Sequence, residues 1–218
     1  GTAPGTTSDC GGTPCYAARV RSPFSFEPFE AGDTLTLLGI EHRPVFATML
    51  HGRSDADAEA LIDVALEAEA AGGATGEFLF MRGADTARGA LDVGYPGAIG
   101  ELATRGFTDA RIVDFDAEIE TGRPLAAFFT GTAALGRAIE GNTFAPGALT
   151  DNLTSFGAVP ANFRATGESQ VSIARWVAMG AAGTHGTVDE PLNNCFPSRI
   201  LAVDYVDGAT LAQAYFGK

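Results

Sequence analysis

Short apolar runs of strand length alternate along most of this chain with longer segments whose apolar positions recur at helical spacing. Pro44 introduces VFATML, an unbroken apolar run that predicts a strand over 45–50, since strands buried on both faces of a parallel sheet lack polar alternation. Ser54 then stands where a side-chain oxygen can cap a helix, with Asp57 three residues on as a shorter substitute for the Glu of a capping box. That helix is expected to reach about Ala71, with Leu61, Ile62, Ala65, Leu66 and Ala68 on one broad apolar face and Gly72-Gly73 ending it. EFLFM at 77–81, ARIVDF at 110–115 and LAAFF at 125–129 predict further strands, and 95–105, with Pro96 in its first turn, predicts a helix. Helical segments are also expected around 146–153, over 169–179 with Trp176 on the inward face, and over 209–216. Residues 183–188 read as a short fifth strand, and 200–206 pack late.

Apolar strands alternating with amphipathic helices require a mainly parallel sheet covered on both faces, a three-layer, doubly wound α/β domain. It is expected to occupy 35–218, after an irregular arm over 1–34 that packs through the aromatics of SPFSFEPFE. In such a fold the loops at the carboxyl ends of the strands gather around the ligand site. Here these are 51–54, 82–88, 114–118, 130–133 and 154–157, which nominate His51, Asp114, Asp116, Thr130, Thr132 and Thr154 as binding residues.

Composition narrows the partners. The 218 residues, 45% hydrophobic and 19% charged, suit one folded domain, and no apolar run is long enough to span a bilayer. A formal net charge of −13 repels a polyanion and argues against nucleic acid as a partner, so none is expected. The single lysine is Lys218, so no internal lysine is present to form a Schiff base. An acidic, lysine-poor surface suits a saline or exported setting, and the expected location is extracellular or periplasmic. The opening GTAPGTTSDCGG is what a processed fragment would show.

The candidate chemistry is sparse. Cys10 and Cys15 bracket a Gly-Gly-Thr-Pro turn, close enough for a small disulfide loop that leaves Cys195 unpaired; two free thiols are the alternative. Neither has the further ligands a zinc site needs, and no metal or cofactor is expected. His185, with Asp189 and Glu190 shortly after it, has the elements of a base and its orienting carboxylate; the plainer reading is a strand end followed by a solvated turn. Cys195 could pair with His185 as thiol and base, or be an inert structural cysteine. Asp114 and Asp116 alternate onto one side of a strand end, where paired carboxylates can hold a hard cation or simply face water. GAAGTHG lacks the strand-loop-helix context of a dinucleotide fingerprint, and Asn152-Leu153-Thr154 matches a glycosylation triplet.

The patterns FATMLHG-x-S-x-A-x-A-E-ALID-x-AL-x-AE, FAPGALTDNLTSFGA, ARWVAMGAAGTHGTVDEPLNNCFP and DGATLAQAYF together resemble a bacterial family of exported proteins of unknown function. Their pattern in turn resembles the caspase-like fold of gingipain-type cysteine peptidases, which shares its doubly wound character with flavodoxin-like domains. The resemblance covers 44 to the C-terminus and implies that the chain is the C-terminal part of a longer protein. In gingipain-type enzymes a His follows one strand and a Cys the next, so that imidazole activates thiol. The matching positions here hold Thr130-Gly131-Thr132 and Ser155-Phe156. The resemblance therefore implies the scaffold without its dyad: a binding or assembly module for a peptide, a protein, a missing N-terminal segment or a second copy. The alternative is an active hydrolase with Ser155 or Cys195 as nucleophile, assisted by His185 or His51.

Overall fold

A computed structural model describes residues 35–37, 40–42, 48–73, 75–164 and 166–216. The arm over 1–34, with Cys10 and Cys15, lies outside the described residues. An antiparallel pair, β1 (Leu35–Leu37) and β2 (Ile40–His42), precedes the main sheet. That sheet comprises β3 (Glu77–Met81), β4 (Ala110–Val113), β5 (Leu125–Thr130), β6 (Phe144–Asn152) and β7 (Gly183–His185) in the order β4-β3-β5-β6-β7. Every neighbouring pair is parallel. Counted from β3, this is the doubly wound order 2-1-3-4-5.

Helices cover both faces. On one side α2 (Tyr95–Thr104), α4 (Leu201–Val206) and α5 (Leu211–Phe216) seal Phe78, Phe80, Phe129 and Leu149. On the other, α3 (Ile173–Ala178) and the segment 135–139 seal Leu79, Met81 and Phe128, with Trp176 edge-on to Phe128 at 5.1 Å between ring centroids. Each such ring stabilises the fold by about 1.5–3 kcal/mol through burial. α1 (Asp55–Ala71) runs beside β6 and α3. Its start is the expected capping box, in which Ser54 Oγ accepts from Asp57 N and Asp57 returns the bond to Ser54 N, and Gly72 at φ 78° closes it. The predicted apolar face is narrower than its pattern suggests, because Leu61 and Ala68 are buried while Ile62, Ala65 and Leu66 are exposed.

Two predicted elements are corrected. Of the strand expected over 45–50, residues 48–50 are irregular, with Met49 72% and Leu50 60% exposed, and 45–47 lie outside the described residues. The helix expected around 146–153 is instead β6. Pro146-Gly147 suggests a helix start, but Gly147 has φ 83° and the β5–β6 register shifts between Leu125↔Phe144 and Ala127↔Leu149. The pair therefore forms an irregularity within the strand, where proline is tolerated and glycine gives the needed backbone freedom. Enclosure between β5 and β7 then makes ALTDN a fully buried strand end. The helix predicted over 169–179 is shorter, beginning after Ser172, whose side chain caps it at Ala174 N.

Candidate functional site

The register of three adjacent strands builds a row of side chains at the carboxyl edge of the sheet. Phe129 of β5 pairs with Asp151 of β6, which pairs with His185 of β7. Asp151 is two residues after Leu149 and so projects to the same face, toward the layer containing α2 and α4. There it meets Arg199, which hydrogen-bonds Asp151 Oδ2 through Nη1. Both residues are almost completely buried, at 0% and 2% exposure. The guanidinium carbon lies 5.4 Å from the Phe129 ring centroid and 6.0 Å from that of Tyr95, so aromatic faces also stabilise the cation. Burial is the strongest single influence and opposes the charge on Arg199, but Asp151, Tyr95 and Asp92 together outweigh it and hold the guanidinium pKa above its ordinary value. Burial also pushes the Tyr95 phenol upward, and its hydroxyl donates to the Met81 carbonyl at 3.0 Å.

His185 completes the row. Its Nδ1 faces Asp151 Oδ1 at 3.4 Å, near enough for charge attraction with a protonated ring, yet no hydrogen bond forms between them. The ring packs edge-on against Phe196 at 5.2 Å. Asp151 Oδ1, His185 Nδ1, Arg199 Nε and Thr130 Oγ1 are all buried without a hydrogen-bond partner among the described residues. So many unsatisfied polar atoms at one strand edge make it the candidate site, because such atoms are costly unless something engages them.

Comparison of the chain with protein-family models, with curated proteins and with solved structures gives no match.

The residues nominated from sequence fall into separate places. The carboxylate beside His185 is Asp151; Asp189 instead accepts from its neighbour Glu190 N at 2.9 Å, and Glu190 is exposed. Cys195 is a half-buried free thiol 3.9 Å from Asn194 Oδ1, and the side chain against the imidazole is Phe196. Ser155 is half-buried, with its carbonyl accepting from Thr187 Oγ1 at 2.7 Å, and its hydroxyl makes no hydrogen bond to another side chain among the described residues. His51 is exposed and packs at a tilt against Phe163, with 5.0 Å between ring centroids. Asp114 pairs with Arg82 at 3.3 Å while Asp116 caps Glu118 N at 2.9 Å, so the two carboxylates have different tasks. Among the described residues no group of His, Cys, Asp and Glu is placed to hold a metal.

Thr132, Thr154 and Asn152 brace the loops. Asn152 is buried, accepting from Thr132 N at 2.8 Å and donating to Thr132 O at 3.0 Å, which leaves its amide engaged rather than open to glycosylation. Thr154 Oγ1 hydrogen-bonds Gln170 Oε1, which also accepts from Phe156 N at 3.1 Å. At the switch point between β3 and β5 the two loops close on each other through Ala84 N to Gly131 O at 2.8 Å. Any Cβ on Gly131 would sit 2.0 Å from Arg88 O, so the approach requires glycine.

Sequence reading missed Asp151, Arg199 and Tyr95. A strand reading of ALTDN would have placed Asp151 at a carboxyl end, but nothing local marks Arg199, 48 residues away, as its partner.

Proposed function

We propose that this chain is a catalytically degenerate caspase-like domain, exported from a bacterial cell, that binds a peptide or protein partner at the carboxyl edge of its sheet. The observation that carries the reading is the arrangement around His185. The facing carboxylate Asp151 is committed to Arg199, the imidazole abuts Phe196, and no hydroxyl or thiol hydrogen-bonds it among the described residues. A nucleophile is activated by a base within hydrogen-bond reach, and among the described residues none hydrogen-bonds the Ser155 hydroxyl or the Cys195 thiol. The strand order and the residues Thr130-Gly131-Thr132 and Ser155-Phe156 at the two loop positions support the same scaffold without its dyad.

A hydrolase reading draws on one specific feature, the 3.4 Å approach of Asp151 to His185, which resembles the orienter and base of a triad. A broad quenched-peptide library separates the two, with Ser155→Ala, Cys195→Ala and His185→Ala run beside the parent chain. The expected result is no turnover by any of them, together with selective retention of the parent on an array of random peptides. Cleavage lost in one variant would establish a hydrolase and name its residue; absence of selective retention would overturn the binding reading.

A further inference from the structure

Beside Arg199 lies an open pocket of about 440 Å³, within the range of small-ligand sites. It is lined by Leu91 and Val93, from the connection between β3 and α2, by Phe196, by the exposed Asn193 and Asn194, and by the buried Arg199. Val93 is 87% exposed, and Leu192, next in sequence to the lining residue Asn193, is 67% exposed, so accessible apolar side chains stand in or beside the pocket lining. Asp151 engages only Nη1 of the guanidinium, and the buried Nε has no hydrogen-bond partner among the described residues.

The charges decide what the donor can accept. Asp151 already neutralises Arg199, and Asp92 is a second carboxylate acting on the same guanidinium. A third carboxylate would meet two acidic groups for one cation, within a chain of net charge −13. A neutral carbonyl oxygen satisfies the donor without that repulsion. Resting on the binding-module reading, we propose that this pocket takes an apolar residue from within a peptide. Its side chain lies against Leu91, Val93 and Phe196, and its uncharged carbonyl oxygen accepts from Arg199. A peptide C-terminus presents the same apolar side chain with a carboxylate, and is disfavoured.

The test is amide-resolved NMR titration of the full chain with N-acetyl-leucinamide and, separately, N-acetyl-leucine. The amide is expected to shift the Val93, Gly94, Asn193 and Asn194 resonances, with the acid binding roughly fivefold or more weakly. Val93→Asp, a change at an exposed position, should abolish those shifts and leave the remaining spectrum folded. Equal or tighter binding of the acid would overturn the proposal, as would shifts confined elsewhere or none from either probe. If Val93→Asp still binds the same arrayed peptides as the parent, the pocket assignment falls while the binding reading stands. If the parent binds no arrayed peptide, the binding reading falls, and the titration still reports on the pocket separately.

Discussion

Asp151 and Arg199 show why a buried ion pair is better evidence of a site than of stability. Taking both charges out of water is expensive, and their attraction returns the cost only while both are present. Arg199→Met is therefore expected to destabilise the chain by about 3–5 kcal/mol, because it strands a buried carboxylate. Arg199→Met combined with Asp151→Leu should recover most of that loss. Urea unfolding of the parent, both single variants and the double variant measures the coupling; simply additive losses would show that the pair does not act as a unit. His185 and Cys195 were visible in the sequence because His and Cys are rare and chemically distinctive. Asp151 and Arg199 were not, since Asp and Arg are common and only their shared burial distinguishes them.

Elements differ in how much local pattern specifies them. α1 carries its own start and stop in Ser54, Asp57 and Gly72, and its boundaries are the expected ones. β6 has no such autonomy, because Pro146-Gly147 favours a helix start locally and enclosure between two strands overrides it. α3 depends on a long-range clamp. Arg175 donates to Glu140 at 2.7 and 2.6 Å, to Glu168 at 3.0 Å, and to the carbonyls of Leu135 and Gly136, tying the helix to the segment before β6. The hydrogen bonds from Arg175 hold the Glu140 carboxyl below its ordinary pKa of 4.5, against the opposing effect of burial. A depressed carboxylate pKa contributes stability that is present above the ordinary value and lost as pH falls through the folded one. Glu140 is 41% exposed, so solvent screening limits the effect, and Glu140→Gln should cost about 0.5–1 kcal/mol near neutrality. That difference should shrink in acid, which unfolding at about pH 7 and about pH 3 would check. A penalty of the same size at both pH values would assign the clamp to packing instead.

For the molecule as a whole, net charge is the dominant long-range force. At −13 the folded chain repels itself, and salt screens that repulsion more effectively as the Debye length falls from about 30 Å at 0.01 M to about 8 Å at 0.15 M. Thermal unfolding should therefore shift upward by a few degrees between those conditions. A downward shift would mean that attractive surface pairs, such as Arg105 with Asp207 at 2.6 Å, outweigh the net repulsion. Among the described residues no helix is long and apolar enough to cross a membrane.

The alternation of apolar strands and amphipathic helices was sufficient to specify a three-layer, parallel α/β domain, because periodicity and burial are properties of neighbouring residues. The net charge of −13 argues against a polyanion partner on similarly simple grounds. The strand character of 144–152, the closing of the β3 and β5 loops over Gly131, and the meeting of Asp151 with His185 and Arg199 depend on contacts between distant segments. Local propensity carries no record of such contacts, and packing the sheet between its helices brings those side chains together.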